Sequence, residues 1–519
     1  FDKFLEWRKK VDYYANDPFL QKTLKYFSGS NWEEADAEAR KISKKASFRW
    51  RDMAEAISRP EKQPSVMHYD GHHHRIDRIV RPFETAIMEK EIFGERLFSN
   101  DHSLWVKLIR MLIIYQNSDA CIICPITCTE GLVAILRKYA DTPETKRILQ
   151  HCTGGIDGEF AIGAQYLSEI QGGSDLPANL LEAVKEGDAW RLYGTKFFCS
   201  ATHADYALVT AKPNGSEKVA LFVVPSWLPG NKEKEIRNGF TIDRLKWKMG
   251  TSELPTSELT FNGAVAYPLG PLDRGIANVV GVVLTYSRLT VALNTAAMMI
   301  RAHREAKRYS EMREAFGCTI GSFPFVKMQI QDIEKYAQRT TAGAFKLYQL
   351  LLSVKEGPRG GIGGNDESLE IRKKHILLRE LVMLQKVTAS WDGPNVIRKA
   401  ISIFGGHGVI EDFSSLPRFY RDAAVNELWE GPRNVLLTQI HRDLQRVSDW
   451  YSPDEFVKDA LTGADPVLIE EYSEIIEQLV SHPSLIRDDE KTMDVCCKWD
   501  DFCHRFYHSY QDLSLAEIM

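Results

Sequence analysis

An α+β chain is predicted, with a helical N-terminal part, a small β-rich middle and a helical C-terminal part. Three observations predict it. Apolar residues recur at the 3.6-residue spacing of a helix before residue 150 and again after residue 275. Between these parts the period changes to short runs rich in Val, Phe, Tyr and Thr, bounded by turn residues such as Pro213-Asn214-Gly215. With 519 residues, 44% of them apolar, the chain can bury several cores.

Taken in order, residues 1 to 30 read as an extension. Glu33 to Ile57 is a charged, amphipathic helix, and Arg59 to Asp77 reads as a connecting loop. Phe83 to Leu97, Leu104 to Tyr115 and Gly131 to Tyr139 carry helical apolar faces, and Thr142-Pro143-Glu144-Thr145 is a helix start. Strands are expected at Phe160 to Leu167, Trp190 to Phe198, Tyr206 to Ala211, Val219 to Val224 and Glu258 to Phe261. Long helices follow at Val279 to Tyr309, Phe325 to Val354 and Glu370 to Phe404. The gap Glu356 to Asn365 has Gly-x-x-Gly spacings but no strand ahead of it, so it reads as a flexible connector rather than a phosphate loop. At least two more helices lie in the tail, where Val467, Leu468, Tyr472, Ile475, Ile476 and Leu479 form an apolar stripe. The expected division is 1–154, 155–272, 273–447 and 448–519, with no internal repeat.

Charge and cysteine content narrow the class. The net charge is −5, yet residues 451 to 519 hold 16 acidic and 5 basic side chains, a local −11 that leaves +6 for the rest. An acidic tail repels phosphate backbones, which argues against nucleic acid as a partner of that segment. Nine cysteines, an odd number with no small-domain framework, favour free thiols and an intracellular location, mitochondrial or cytoplasmic. Cys121-x-x-Cys124-x-x-x-Cys128 has a spacing seen at metal or cluster sites, but its apolar neighbours and the want of a fourth ligand read as packed core, and no metal site is expected. His72-His73-His74 reads as a surface turn. No apolar run is expected to reach membrane length, the longest being near Ile276 to Leu284. The chain opens at Phe1 rather than Met, compatible with removal of a targeting segment.

The stretch Leu428-Trp429-Glu430-Gly431-Pro432-Arg433-Asn434 carries the functional signal. Val435, Leu436, Ile440, Leu444 and Val447 follow on one helical face, and Pro432 suits the first turn, which has no use for the missing N–H. Glu430 thus precedes a helix N-terminus, where the dipole favours a carboxylate. Two readings stand side by side: a charged base, or a residue that only caps the helix, with Trp429 a core anchor.

Two motifs upstream of this stretch resemble the signatures of the acyl-CoA dehydrogenase superfamily. One is Leu167-Ser168-Glu169-Ile170-Gln171-Gly172-Gly173-Ser174-Asp175. The other is Gly405-Gly406-His407-Gly408-Val409, followed by Asp412, Arg418 and Asp422 and leading into Glu430-Gly431. Gly194 to Ser200 and Tyr309-x-x-x-Arg313-x-x-Phe316-Gly317 lie between them in the family's order. Cys124-Pro125-Ile126-Thr127, Leu416 to Arg421 and Leu428 to Gly431 are most similar to its AidB-like branch. The DNA binding associated with the C-terminal part of AidB is not carried over, because the matching region here is acidic.

The resemblance implies an N-terminal helical domain, a middle β-barrel or sandwich, a C-terminal bundle and extra C-terminal helices. It implies a non-covalent FAD held by Ser168, Gly173, Ser174, Phe198, Cys199 and Ser200, with Leu428, Trp429 and Asn434 alongside. Arg313, Phe316, Gly405 and Gly406 would reach the FAD of a neighbouring chain, hence a homo-oligomer, dimer or tetramer. Ser174, Tyr286, Arg288 and Gly431 would contact a medium- to long-chain fatty acyl-CoA, Arg288 at a phosphate or the adenine. Glu430 would take the α proton while the β hydride passes to flavin N5; an electron-transfer flavoprotein is one candidate acceptor, the acceptor itself staying open, and Glu427 is the nearest substitute base. Singly, these serines, glycines and Arg313 also fit plain turn and helix-end roles. Ser402, Tyr166 and Pro432 depart from the family pattern. Pro432 offers neither hydroxyl nor N–H to a flavin, which motivates a competing reading as an acyl-CoA-sequestering flavoprotein with little turnover.

Overall fold

Residues 1–354, 357–361 and 367–519 are described in the computed structural model; half of the Gly-rich connector expected at Glu356 to Asn365 lies outside them. The first part of the chain is helical: α1 (Asp2–Lys10), α2 (Pro18–Ser28) and α3 (Trp32–Lys44), which continues through a π turn (Lys45–Trp50) into α4 (Arg51–Ile57). The expected extension over residues 1 to 30 is therefore built structure: Phe4, Leu20, Leu24 and Phe27 are buried, and Asp17 caps α2 by accepting from the Leu20 N–H. The expected loop Arg59 to Asp77 holds a hairpin, β1 (Ser65–Tyr69) and β2 (Arg75–Val80). Its turn is the His72–His74 run, whose N–H groups at His72 and His74 bond the Asp70 carboxylate. Alternation was hidden there because β1 buries no residue.

Helices α5 (Phe83–Phe93), α6 (Leu104–Tyr115), α7 (Ile123–Tyr139) and α8 (Pro143–Thr153) follow, the last opened by the Thr142/Thr145 capping box. Cys124 and Cys128 sit on buried faces of α7, 3.8 Å apart as thiols, which supports the packed-core reading of that run. The middle strands are β3 (Gly163–Tyr166), β4 (Glu182–Glu186), β5 (Ala189–Ser200), β6 (Tyr206–Pro213), β7 (Ala220–Pro225), β8 (Phe240–Leu245) and β9 (Thr256–Pro268). Pairing runs β6–β7–β9–β5–β4 and back to β6, so five strands close into a small barrel, with β3 added parallel to β6 and β8 antiparallel to β9. Sequence reading missed β4 and β8, which are short and charged.

The rest is helical: α9 (Gly275–Asn278), a π turn, α10 (Leu284–Met312), α11 (Pro324–Ser353), α12 (Leu369–Phe404), α13 (Leu416–Asn426), α14 (Arg433–Val447), α15 (Pro453–Ala460), α16 (Pro466–Val480) and α17 (Glu490–Ala516). Contrary to expectation, Gly275–Met312 is long and apolar enough to cross a membrane, but 78% of its apolar window is buried inside the protein.

The chain forms two compact units. One comprises Arg49–Lys107 and Asn117–Ser287, the other Phe1–Phe48, Leu108–Gln116 and Arg288–Met519. In the first, α7 lies tightly on β3: a Cβ at Gly163 would stand 3.0 Å from the Thr129 Cα, and the Gly163 N–H donates to the Thr129 hydroxyl. That contact fixes the strand from which the Leu167 to Asp175 loop departs. The loop is then pinned from the barrel side by Lys196, fully buried on β5, whose ammonium donates to Glu169 (2.8 Å), the Leu167 carbonyl (3.1 Å) and Thr210 (3.2 Å). Against the upward push of burial, this ammonium holds the Glu169 carboxyl below its ordinary range.

In the second unit α12 is the central rod, touching α11, α13, α14 and α17. The acidic tail is part of this core, since Trp499, Phe502, Phe506, Tyr507 and Tyr510 of α17 are buried. Trp499 donates to the Leu437 carbonyl and Tyr507 to the Gln385 side chain. At about 1.5–3 kcal/mol for each large apolar side chain buried, docking of α17 is a major source of stability for this unit.

Removing one member of the Lys196–Glu169 pair leaves a buried charge alone. Lys196→Met is expected to cost about 3–5 kcal/mol in denaturant unfolding, and Lys196→Met combined with Glu169→Gln to recover part of it; a neutral single variant would mean that the pair does not pin the loop.

Candidate active site

Glu430 lies in the short connection between α13 and α14, where the backbone is left-handed: φ is +60° at Glu430 and +100° at Gly431. A non-glycine residue there costs about 1–2 kcal/mol, and such a conformation persists only where the surroundings impose it. Three hydrogen bonds do so. Arg288 Nε donates to the Glu430 carbonyl (3.0 Å), and Lys386 Nζ donates to the carbonyls of Glu427 (2.8 Å) and Gly431 (2.6 Å). Gly431 is packed so closely that a Cβ would come 3.0 Å from Leu436. Pro432 occupies the N-cap position of α14, one place earlier than expected, and the helix start carries no side-chain cap. The reading of Glu430 as a helix cap therefore falls.

The same two cations define the electrostatics. Burial pushes the Glu430 carboxyl up to about 7, and Arg288 and then Lys386 oppose that push only in part. Burial, with Arg288 next, lowers the Lys386 ammonium to about 7. Burial and the nearby Arg379 lower Arg288 to about 10. Glu380, wholly enclosed on α12, takes no hydrogen bond on either oxygen, and burial followed by Asp443 raises its pKa well above the carboxylate range. The result is a carboxyl group able to change protonation near neutral pH, held by its own backbone.

Arg288 corrects the sequence reading. Its side chain is buried and bonded to the Glu430 carbonyl, so it is not available to a phosphate or adenine; it is a positioning cation for the loop. Lys386 was missed, although a lysine inside Leu381-Val382-Met383-Leu384-Gln385-Lys386-Val387 is a signal, because an ammonium in so apolar a run needs buried acceptors. Around the connection lies a cavity of about 630 Å³, lined among others by Glu427, Leu428, Pro432, Asn434, Trp391 and Trp499. Glu427, partly exposed, has its pKa raised by burial. Trp429 is half-buried.

Elsewhere in this unit Arg313 and Phe316 sit at a hairpin after α10, with Phe316 at φ +54° and 97% exposed. Gly405, at φ +58°, ends α12, and a Cβ at Gly405 or Gly406 would meet no protein atom within 4 Å. In the barrel unit, Gly172, Gly173 and Ser174 are exposed, and a Cβ at Gly173 would stand 2.3 Å from the Ser168 hydroxyl oxygen. On β5, Phe198 faces outward and Ser200 bonds Thr256 (3.0 Å), while alternation turns the Cys199 side chain into the barrel, where burial raises its thiol pKa. Cys199 can therefore offer only backbone groups, a correction to its expected place along a flavin. Tyr286 is mostly enclosed, its ring 5.7 Å from the Lys107 ammonium, which pairs with Glu130 (2.5 Å).

One unit holds a small closed barrel with flanking helices, and the other a helical bundle that holds a half-buried acid shifted toward neutrality. Residues 164–264 match the model for the acyl-CoA dehydrogenase middle domain and residues 273–445 that for the acyl-CoA dehydrogenase C-terminal domain. The chain belongs to the acyl-CoA dehydrogenase family, and its relatives include AidB. Acyl-CoA dehydrogenase family member 11 of Caenorhabditis elegans is 26% identical over 452 residues, 83% of this chain and 70% of that protein. Putative acyl-CoA dehydrogenase AidB of Escherichia coli is 26% identical over 348 residues, 65% of this chain but only 60% of that protein. The solved structure of C. elegans ACDH-11 in complex with C11-CoA is similar in fold, with a TM-score of 0.79 at 23% identity, covering 98% of this chain and 87% of that one.

Family membership brings FAD as the cofactor, and the residues present suit it. Phe198 and Phe316 present aromatic surface to solvent, and the space over Gly172, Gly405 and Gly406 is open for a ring or pyrophosphate to approach the backbone.

A folded-state pKa of about 7 against the ordinary 4.5 means that the folded chain holds the Glu430 proton more tightly than the unfolded chain does. The linked stability is full below 4.5 and is lost as pH rises through 7. Glu430→Gln is thus expected to be more stable than the parent by roughly 2–3 kcal/mol at pH 8 and equal to it near pH 4, by chemical denaturation. Equal stability at both pH values would mean that the carboxyl is solvated.

Proposed function

We propose that the protein is an FAD-dependent acyl-CoA dehydrogenase that desaturates a medium- to long-chain fatty acyl-CoA between Cα and Cβ, with Glu430 as the base. The observation that carries this reading is the half-buried Glu430 carboxyl, pushed up to about 7 by burial, on a backbone fixed by Arg288 and Lys386. Above pH 7 the group is ionised and takes the α proton: the Cα–H bond breaks, an O–H bond forms, and the electron pair stays on carbon until Cβ loses its hydride. FAD supplies the acceptor for that hydride when bound. Residues Ser168, Gly173, Ser174, Phe198 and Ser200, with Leu428, Trp429 and Asn434, would hold it. Arg313, Phe316, Gly405 and Gly406 would hold that of a second chain, which requires an oligomer. The backbone N–H at Glu430 would help polarise the thioester carbonyl, an oxyanion-hole role. The C11-CoA seen with the C. elegans protein supports an acyl group of this length.

The competing reading, binding without turnover, draws on Pro432, which has no N–H to give a flavin. Anaerobic mixing of the holoprotein with acyl-CoAs of graded length distinguishes the two. Flavin absorbance is expected to bleach, with a rate that falls as pH drops below about 7, and Glu430→Gln is expected to keep FAD and acyl-CoA yet lose about 10²–10⁴-fold or more in rate. Binding without bleaching would favour sequestration, an undiminished rate in Glu430→Gln would move the base to Glu427, and a monomeric holoprotein in sedimentation would remove the shared site.

A further inference from the structure

We propose a transition-metal site of zinc type between α12 and α17, formed by Asp392, His504 and His508. His504 and His508 are one helical turn apart, so both rings leave the same face of α17. Asp392 faces them from α12. Its carboxylate stands 2.7 Å from His508 Nε2 and 3.6 Å from His504 Nε2, and one ligand atom from each residue lies within 4.8 Å of the other two. The rings themselves are 4.1 Å apart between centroids. Two imidazoles and a carboxylate are a donor set for Zn²⁺, with the fourth position left to water. The setting leaves room for that water, because Asp392 is buried while the two histidines keep 24% and 15% of their side-chain surface.

The chemistry of the donors agrees. The His504 Nδ1 takes no hydrogen bond from or to the protein. On binding, the hydrogen bond between His508 Nε2 and Asp392 breaks and the metal takes its place between them, the neutral imidazole then carrying its one proton on Nδ1. The groups around the cluster leave it accessible to a cation. Tyr336 meets the His508 ring edge-on, Arg339 is bound to Asp512, and Arg433 is bound to Asp500. A second cluster, Glu89, Cys121 and His203, differs on this point: Arg81 lies 2.5 Å from Glu89 and already supplies the positive charge. Sequence reading passed over Asp392, His504 and His508, since 112 residues separate the aspartate from the nearer histidine and neither helix alone holds three ligands.

The consequence is a staple. A metal here ties the last helix to the central rod beside Trp391, which lines the cavity near Glu430. The test uses the full chain freed of metal by chelation and then given ZnCl₂ or CoCl₂. Expected are one equivalent of Zn²⁺ by calorimetry, a rise of about 2 °C or more in Tm, and visible absorption from bound Co²⁺. His504→Gln and His508→Gln, each still able to form hydrogen bonds, should lose all three while keeping the far-ultraviolet spectrum. Absence of binding overturns the proposal. So does binding that survives both substitutions and disappears when His72, His73 and His74 are replaced, because the exposed turn would then be the ligand.

Discussion

The structure depends on a conflict that it keeps unresolved: a half-buried carboxylic acid beside a buried guanidinium and a buried ammonium within one helical unit. Burial makes every charge among Glu430, Arg288 and Lys386 expensive, and the attraction of the acid for the two cations, which repel each other, recovers only part of that cost. A well-packed apolar trio would be more stable. What the ionic trio provides is a carboxyl group with no fixed protonation state near neutrality, on a backbone that cannot relax because both cations also serve its carbonyls. The long helices α10 and α12, which carry Arg288 and Lys386, are the scaffold for those donors.

The barrel unit solves a similar problem with a different outcome. Lys196 and Glu169 are also buried and also paired, but there the geometry is saturated by the Leu167 carbonyl, Thr210 and the Leu180 and Leu181 N–H groups. That pair is a fixed strut, with the carboxylate ionised. Satisfaction of hydrogen bonds separates the two cases, since Glu380 and Glu430 lack what Glu169 has.

Much of this was legible in the sequence. Helical periods and the change to strand patterning gave the order of parts, and the long helices at Leu104–Tyr115, Pro324–Ser353 and Leu369–Phe404 stand within one residue of where their apolar spacing puts them. What escaped was structure whose reason is tertiary. The β1–β2 hairpin is polar and is held by Asp77, which bonds His68, Arg75 and the Ile242 N–H across the unit. Strand β8 is recognisable only once β9 is beside it. At the site, the acid and the glycines follow local motifs, whereas the roles of Arg288 and Lys386 arise from chain segments 142 and 44 residues from Glu430.

The interleaving of the second unit has a consequence for biosynthesis. Helices from the first thirty residues share that unit with α17: Phe27 packs on Phe345 of α11, and α11 in turn packs on α17. The early helices must therefore wait on the ribosome until residues beyond 500 have emerged, while the barrel between them can close on its own strands.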